Sequence, residues 1–451
     1  MIGLILLFFS FYLYTKRKTR KYSILLFISF SYSGLRILTD SIIGIKNIDL
    51  AVVYTCVISL YSFFYEKQKI STPLDKWFRL LIIMVGACFV FSYFHYGFSF
   101  MQILQGGRGY LILFSFSFIK KQPNKDLEWI IKILFFLTCI TAVLYVLQVV
   151  FKLPLLPYGE TKIDPSTGIL RMYNEPTFLV QFIYLTCFFP QYTRSIYGNS
   201  KLIRVIPIIF LTALILTQSR TFTFMSLAFL CVGLLLTGKI KRTLQLAILF
   251  SLLMIPLASI LADRIEGGNT FQDLKSVYNG DYKKSANWGK GFDGTLSYRF
   301  AWVYERIEYL KNRPLSENLF GLGIISESQI STLNKLYKFR IGISDPETGH
   351  IQQIGTPDII YGNFITSFGY LGAVVCIWFW IVTCKHLFKN RKSHPFVFSY
   401  SIYIMFCFIA SFTGGYLIFK NLVMPFILVA LIHNRKNNPK QQLNLMSYQI
   451  Q

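Results

Sequence analysis

Residues 128–151 read EWIIKILFFLTCITAVLYVLQVVF, an apolar run long enough to cross the hydrocarbon core of a bilayer, which is about 30 Å thick. Similar runs of roughly 15–24 residues recur along the chain, and charged residues fall in short clusters between them. Only 15% of the 451 residues are charged and 53% are hydrophobic, whereas about a quarter of a soluble domain is charged. The sequence therefore predicts an all-α polytopic membrane protein.

The apolar runs predict about thirteen membrane spans, within a range of roughly 11–14. The first run, MIGLILLFFSFYLY, has no basic segment before it and no small-residue cleavage site after it, so we predict a retained span rather than a signal peptide. The predicted spans are 1–15, 22–39, 48–65, 77–97, 102–119, 128–151, 177–192, 205–218, 221–238, 245–262, 360–384, 395–413 and 415–433.

One long connection divides the predicted bundle. We expect residues 1–262 to form the first part of the bundle, 263–359 a long loop, 360–433 the last spans and 434–451 a cytoplasmic tail whose end, KQQLNLMSYQIQ (440–451), is disordered. A structureless loop of this length is uncommon in a compact protein, so we expect this one to be partly folded.

Two parts of the long loop have different compositions. An amphipathic helix ended by Pro314 is predicted from apolar residues at helical spacing, and ENLFGLG (317–323) is typical of a turn. The polar, Gly-rich stretch 266–294 predicts a mobile flap, and a second outward loop spans 152–176. The apolar residues of the predicted helix are Phe300, Val303, Ile307 and Leu310.

The net charge of +25 is concentrated in alternate loops. Loops rich in Lys and Arg stay in the cytoplasm, so we predict that these loops and the C-terminus are cytoplasmic and that the long loop faces outward. The charge is then a topology signal, and no nucleic-acid partner is predicted. The clusters are TKRKTRK (15–21), EKQK (66–69), KKQPNK (120–125), KIKR (239–242), KHLFKNRK (385–392) and NRKNNPK (434–440).

The eight cysteines lie in or at the edge of apolar runs. Their positions build neither a disulfide framework nor a metal-ligand spacing, so a packing role is predicted, with no metal and no cofactor. They are Cys56, Cys88, Cys139, Cys187, Cys231, Cys376, Cys384 and Cys407.

Candidate functional residues collect at the outward ends of the predicted spans. Arg220 lies in an outward turn, against the topology rule, although an interfacial arginine can also snorkel to headgroups. Arg299, Trp302 and Arg306 share one helix face, which could equally be an ordinary solvated face beside Glu305 and Glu308. Arg171 and Glu175 stand before another span, where Glu before Pro is also a normal helix start.

Asp358 precedes a long apolar run in GTPDIIYGNFITSFGYLG (355–372), and His350 lies shortly upstream. Asp358 can cap a helix or accept a proton from a hydroxyl, and His350 can be a surface residue or a base. The planar guanidinium of arginine binds phosphate oxygens bidentately, so arginines at one membrane face suggest a phosphate-bearing amphiphile. No Asp-rich metal motif accompanies them, and the arginines would then stabilise a diphosphate leaving group without a metal.

Several segments resemble the O-antigen polymerase and O-antigen ligase superfamily of bacterial polysaccharide assembly. The similar segments are GILRMYNEPTF (168–178), SRTFTFMSLAFLCVGLLL (219–236), SYRFAWVYERIEYLKNRPLSENLFGLG (297–323) and DIIYGNFITSFGYLG (358–372). Together they cover the second half of the chain, in order around one long outer loop.

The resemblance implies a GT-C-type, metal-independent, inverting glycosyltransferase in the bacterial inner membrane, with its long loop in the periplasm. It also implies that Arg220 and Arg299 bind the diphosphate of an undecaprenyl-diphosphate-linked glycan, with help from Arg171 and Arg306. Its other expected partners are membrane lipid and a chain-length regulator protein.

Ligases of this family carry a histidine where this chain has Asp358, which favours a polymerase of O-antigen or capsule over a ligase acting on lipid A–core. A flippase or another transporter of lipid-linked sugars ranks third, since no internal repeat is visible. Asp358 or His350 would act as the base, while Glu175 and Trp302 would contact the glycan.

Overall fold

The computed structural model describes residues 2–39, 41–42, 45–66, 70–157, 161–163, 170–198, 202–241, 243–245, 248, 270–283, 295–342, 350–356 and 358–436. The predicted span 245–262 and the last residues of the predicted tail therefore lie almost wholly outside the described residues. The side chains of Arg171 and Arg220 also lie outside the described part.

Helices make up nearly all of the regular structure. They are α1 (Ile2–Thr15), α2 (Arg20–Ser31), α3 (Asn47–Tyr65), α4 (Asp75–Tyr96), α5 (Phe100–Gly107), α6 (Phe116–Ile119), α7 (Asn124–Phe151), α8 (Leu179–Phe188), α9 (Pro190–Tyr197), α10 (Leu202–Leu216), α11 (Arg220–Leu236), α12 (Thr270–Asn279), α13 (Thr295–Lys311), α14 (Leu315–Phe320), α15 (Ile330–Leu336), α16 (Ile360–Lys389), α17 (Pro395–Ala410) and α18 (Val423–Lys436). Three 3₁₀ segments, Ser33–Arg36, Arg108–Ser115 and Phe419–Leu422, connect them.

Two short antiparallel hairpins interrupt the helices. Ser41–Ile42 pairs with Ile45–Lys46, and Thr161–Ile163 pairs with Leu170–Met172. The second hairpin lies in the predicted outward loop 152–176, and its register places Lys162 opposite Arg171.

Within the described residues, four helices are long and apolar enough to cross a membrane: α3, α4, α7 and α16. They correspond to the predicted spans 48–65, 77–97, 128–151 and 360–384, so the prediction of an all-helical fold with apolar helices of membrane-spanning length is confirmed. Shorter apolar helices include Leu179–Phe188, Arg204–Leu216 and Pro395–Ala410. The number of thirteen spans stays a prediction.

The predicted span 102–119 is not one continuous helix. It is divided among α5, the 3₁₀ segment Arg108–Ser115 and α6. A side chain at Gly106 would lie 2.4 Å from the backbone of Ile325, and one at Gly107 would collide with the ring of Phe89. Gly106 lets the loop after α14 pack directly on α5, Gly107 lets Phe89 of α4 pack there, and the continuous helix ends at these residues.

Contacts between charged residues join the basic clusters at one end of the bundle, which we call the basic end. Arg20 and Lys121 both pair with Glu66, at 2.6 and 3.8 Å, and Lys120 pairs with Asp75 at 2.6 Å. A further pair, Arg435–Glu128 at 2.7 Å, adds the end of α18. Asn434 also donates to the carbonyl oxygen of Gln122. Four of the six clusters that the sequence assigned to one side of a membrane are therefore linked by contacts: 15–21, 66–69, 120–125 and 434–440.

The described parts of the long loop, 270–283, 295–342, 350–356 and 358–359, fold onto the opposite end of the bundle. As predicted, α13 is a helix, but its buried face carries Ala301, Trp302, Arg306 and Leu310, while Phe300 is exposed. The predicted amphipathic face is thus wrong by part of a turn, because Trp302 and Arg306 pack against other segments. The predicted turn 317–323 is also partly wrong, since its first residues belong to α14. The predicted flap contains α12, and its residues 266–269 and 284–294 lie outside the described residues.

Candidate active site

The candidate site forms where α13 meets the start of α16. The ring of Trp302 packs over Gly362, where an added side chain would lie 2.6 Å from the ring. This close contact places Arg299, one turn earlier on α13, near the residues that precede α16. Arg299 Nη2 lies 3.8 Å from Asp358 Oδ1, and the side chains are 19% and 35% exposed. Two residues predicted from distant parts of the loop therefore form one ion pair.

Asp358 is not the cap of α16. The N-cap is Ile359, which makes no side-chain capping bond, and Asn363 binds the chain entering the helix instead. The Asn363 Oδ1 accepts the backbone N–H of Thr356 at 2.9 Å, and its amide nitrogen donates to the carbonyl oxygen of Thr356. The predicted capping role of Asp358 is therefore wrong, and its carboxylate is directed to Arg299.

Two oppositely charged side chains hold the segment 350–356 that leads to Asp358. Arg306 donates to the carbonyl oxygens of Gln352 and Gln353 at 3.3 and 3.1 Å. Glu327 accepts the backbone N–H groups of Gln353, Ile354 and Gly355 at 3.3, 2.8 and 2.9 Å. We call this arrangement the Arg306–Glu327 clamp. It fixes both the carbonyl and the amide groups of the segment.

The environment of Arg306 does not suit the predicted role of binding diphosphate. Its side chain is 1% exposed, and its guanidinium lies 4.1 Å from the ring centre of Trp302 and 4.4 Å from that of Phe339. Burial lowers the pKa of Arg306 to about 10, although Glu305, 2.7 Å away, favours the charged form. The guanidinium is enclosed by protein, so the predicted direct contact with diphosphate is corrected to a structural role.

Trp302 also faces the protein interior. It is 1% exposed, lying between Arg306 and α16, and its indole N–H has no hydrogen-bond partner among the described residues. The predicted glycan contact of this ring is corrected for the same reason. Its role here is to position Arg299 by packing on Gly362.

His350 lies beside Glu327 rather than in contact with Asp358. The separation between His350 Nε2 and Glu327 Oε2 is 3.7 Å, and the His350 side chain is largely buried. The clamped segment 353–355 follows it, and this segment leads to Asp358. The structure thus brings His350 and Asp358 into one region but pairs them with different partners.

Tyr298 is a candidate site residue that the sequence analysis missed. Burial raises the pKa of its phenol, Arg306 opposes this shift, and the negative charge of Asp358 adds to it. Its hydroxyl therefore belongs to the surroundings of the Arg299–Asp358 pair. A tyrosine next to the proposed phosphate-binding arginine was the only signal in the sequence.

Glu175 lines a separate open cavity, which we call the outer cavity. Its volume is about 190 Å³, and its walls come from the segments after α2, before α8, at the start of α11 and between α17 and α18. Arg36 and Lys420 line it together with Glu175 and Phe222. Sequence analysis missed both cations, which are far apart in the chain and belong to no motif. Arg220, two residues before Phe222, begins α11.

The outer cavity and the Arg299–Asp358 pair lie at the same end of the bundle. Phe419, next to Lys420, stacks on Phe364 of α16 with ring centres 5.7 Å apart. α2 begins at Arg20 in the basic end and ends shortly before Arg36, so both features are opposite the basic end.

The chain matches no protein-family model and no curated protein.

Within the described residues no group of three His, Cys, Asp or Glu side chains is placed to hold a metal ion. The charged groups that face the candidate site are Arg299 and Asp358, and those of the outer cavity are Arg36, Glu175 and Lys420. This arrangement can bind an anion and accept a hydrogen bond from a hydroxyl.

Proposed function

We propose that this protein is a polysaccharide polymerase that joins undecaprenyl-diphosphate-linked repeat units of O-antigen or capsule at the outer face of the bacterial inner membrane. The observation that supports this best is the Arg299–Asp358 contact, 3.8 Å long, at the start of a membrane-length helix and opposite the basic end. A cation for phosphate and a carboxylate for a hydroxyl then lie side by side at headgroup level.

In the proposed reaction the hydroxyl oxygen of the acceptor sugar attacks the anomeric carbon of the donor. The bond between that carbon and the phosphate oxygen breaks, and the lipid diphosphate leaves with the electron pair. Asp358 orients the hydroxyl and takes its proton, and attack from the opposite face inverts the anomeric carbon. His350, beside Glu327, is the alternative base.

Arginine side chains would stabilise the leaving group. Arg299 has a partly exposed guanidinium, and Arg220, with Arg171 as a further candidate, would add positive charge. Arg306 and Trp302 contribute by holding Arg299 and the segment before Asp358. Because arginines carry the charge stabilisation, we expect a purified elongation reaction to keep its rate in the presence of a chelator.

Deletion of the gene tests the proposed function. A strain that retains a lipopolysaccharide core bearing a single repeat has lost a polymerase. A bare core with long chains retained on undecaprenyl lipid would instead indicate a ligase, and lipid-linked repeats trapped on the cytoplasmic side would indicate a transporter. Wild-type protein supplied in trans must restore chain length.

The same complemented strain tests the diphosphate assignment. We expect Arg299→Ala and Arg220→Ala to shorten the chains to one or a few repeats. Unchanged chain length with either variant, at normal protein level in the membrane, would exclude that arginine from diphosphate binding.

A further inference from the structure

A second cavity, of about 320 Å³, opens at the basic end, where α4 begins and α6 ends. We call it the basic-end cavity. Its volume falls within the range of roughly 300–1,000 Å³ that is usual for pockets that bind small ligands. The function proposed above uses the opposite end of the bundle and gives this cavity no role.

The position of the basic-end cavity along α4 corresponds to a membrane surface. α4 is long and apolar enough to cross a membrane, and the cavity lies at its first turns. In the same first turn, Trp77 packs against Trp378 of α16 with ring centres 5.9 Å apart, and Trp378 is largely exposed. Tryptophan is enriched at membrane–water interfaces. We therefore expect the cavity to open at the level of the lipid headgroups.

The charged side chains of the basic-end cavity are Asp75, Arg79 and Lys120, which leaves one positive charge in excess. Asp75 is neutralised within the cavity, because Lys120 Nζ lies 2.6 Å from its Oδ1 and the backbone N–H of Thr72 donates to its Oδ2. Arg79 uses only Nε, which donates to the carbonyl oxygen of Asp75 at 3.3 Å. Among the described residues no carboxylate pairs with Arg79. Its two terminal NH₂ groups can therefore bind an anion such as phosphate.

Apolar side chains form another part of the same lining. Phe78 of α4 and Phe116 of α6 both line the basic-end cavity, and their ring centres are 5.0 Å apart. Two hydroxyl groups, those of Ser71 and Ser117, also line it. Inorganic phosphate makes no use of aromatic rings, whereas the glycerol and the first acyl carbons of a phospholipid can be buried against them.

We propose that the basic-end cavity binds the headgroup of an anionic phospholipid that carries a single phosphodiester charge. Arg79 and Lys120 bind the phosphate, Ser71 and Ser117 bind headgroup hydroxyls, and the two phenylalanine rings contact the glycerol. A glycerol headgroup suits this lining, whereas the ammonium group of phosphatidylethanolamine would meet two cations. The inference requires a membrane around the protein but does not depend on glycosyl transfer.

Native mass spectrometry of the purified full-length protein in detergent tests the proposal, with added dioleoyl phosphatidylglycerol or dioleoyl phosphatidylethanolamine. We expect phosphatidylglycerol to bind more tightly than phosphatidylethanolamine. Arg79→Gln should weaken phosphatidylglycerol binding by about tenfold to a hundredfold, because charge-assisted hydrogen bonds are lost. Ser71→Phe, which fills the cavity without changing any charge, should also weaken it. Phosphatidylglycerol should raise the melting temperature of the wild type more than that of Arg79→Gln.

The matched control is Lys76→Gln, which removes an exposed cation from the same turn of α4 but outside the cavity lining. This variant should keep the wild-type affinity for phosphatidylglycerol. Equal weakening by Lys76→Gln and Arg79→Gln would show general attraction to a basic surface and would overturn the proposal. Equal affinity for the two lipids would also overturn it. Inorganic phosphate that displaces phosphatidylglycerol at equal concentration would assign the cavity to a soluble anion instead of a lipid.

Discussion

Arg299 and Asp358 are opposite charges that remain partly exposed, at 19% and 35%, and their closest atoms are 3.8 Å apart. An ion pair of this kind contributes only about 0–1 kcal/mol to stability. The pair is therefore better suited to meeting a charged substrate than to holding the loop on the bundle. The buried charge is Arg306 instead, and Arg306 and Glu327 make the hydrogen bonds to the segment before Asp358.

Replacing Asp358 with asparagine tests the carboxylate. We expect Asp358→Asn to leave the melting temperature nearly unchanged, and glycan elongation to fall by about 10²–10⁴-fold, the usual contribution of a general base. Chain length on gels and membrane protein level are the measurements. Glu308→Gln is the control on α13, since Glu308 forms an exposed pair with Lys311. Near-normal elongation in Asp358→Asn would move the base assignment to His350.

The lowered pKa of the Glu317 carboxyl makes the stability of the protein depend on pH. Burial alone would raise its pKa, but hydrogen bonds from Arg313, at 2.7 and 2.8 Å, and from His95, at 3.0 Å, leave the pKa below its ordinary value. Its stabilisation is thus complete above the unfolded pKa of about 4.3 and is lost as the pH falls through the lower folded value.

Thermal unfolding in detergent from pH 7 to pH 3 measures this contribution. Glu317→Gln should melt several degrees below wild type at pH 7, and the difference should shrink below about pH 4 as the wild-type carboxylate is protonated. A difference that stays constant over the whole range would show that the charge of Glu317 is not the stabilising feature. Glu308→Gln, at an exposed position, should show no such difference.

At the scale of elements, the Arg306–Glu327 clamp makes the segment before Asp358 part of the folded loop. Glu327 accepts three backbone N–H groups, so its removal leaves several buried donors without a partner, each costing about 1–3 kcal/mol. Glu327 also lies next to His350. The position of Asp358 therefore depends on a residue far from it in the sequence.

Removing Glu327 should lower the rate of elongation more than it changes substrate affinity. We expect Glu327→Ala to reduce kcat at least tenfold with a small change in KM, because Asp358 loses its orientation. Glu327→Gln should recover much of the rate, since the amide oxygen still accepts backbone hydrogen bonds. Full activity in Glu327→Ala would show that the clamp does not position the site.

The contact between α14 and α16 depends on two glycines. Gly369 has φ 67° and ψ −173°, a conformation that belongs almost only to glycine, and an added side chain would lie 2.4 Å from Leu319. At Gly321, an added side chain would lie 2.5 Å from the backbone of Gly369. The loop and the membrane-length helix therefore approach to backbone contact.

Gly369→Ala should destabilise the protein or prevent its accumulation in the membrane, because it adds both a collision and backbone strain of about 1–3 kcal/mol. Gly86→Ala is a matched control within α4, since no atom lies within 4 Å of the added side chain. Comparable protein levels and melting temperatures for both variants would contradict the backbone contact.

The positions of the helices were predicted better than the sides by which they pack. The apolar runs identified α3, α4, α7 and α16 because hydrophobicity over a whole helix needs no knowledge of partners. The buried face of α13 was misplaced because Arg306 is buried by the carbonyl groups of Gln352 and Gln353. No local pattern shows that an arginine will meet acceptors 46 residues later.

Only the part of the site that local sequence reveals was predicted. Arg299 and Asp358 were identified by their residue types at the ends of apolar runs, and the structure places them in contact. Arg36 and Lys420 were missed because they fell inside the predicted spans 22–39 and 415–433, and Glu327 because it is a single charged residue in the long loop. Only tertiary packing brings the first two into one cavity and sets Glu327 against the backbone of the clamped segment.

At the scale of the whole molecule, the basic end and the site lie at opposite ends of the bundle. Acidic residues at the basic end are neutralised by neighbouring cations, as in the pairs Glu66–Arg20 and Asp75–Lys120. The remaining lysines and arginines of those loops keep a strong positive charge. This separation is the physical basis for expecting one end in the cytoplasm and the other outside.

Labelling of introduced cysteines in a cysteine-free background measures this topology. We expect Lys338→Cys, in the exposed loop after α15, to react with a membrane-impermeant maleimide in intact spheroplasts. Lys18→Cys, between α1 and α2, should react only after the membrane is permeabilised. The reverse pattern would invert the protein in the membrane and place the candidate site in the cytoplasm.

The bend at Gly369 also bears on how far Asp358 would lie from a surrounding bilayer. α16 has 30 residues, which at about 1.5 Å each would extend about 45 Å, half as long again as the hydrocarbon core. The part after Gly369 alone measures about 30 Å and matches the core thickness. With that part in the core, the part before it, about 14 Å long, would extend beyond the core on the side of Asp358, which precedes the helix. On the proposed function, a helix divided in this way holds the carboxylate outside the acyl chains, near the level where the diphosphate of a lipid-linked glycan meets its first sugar.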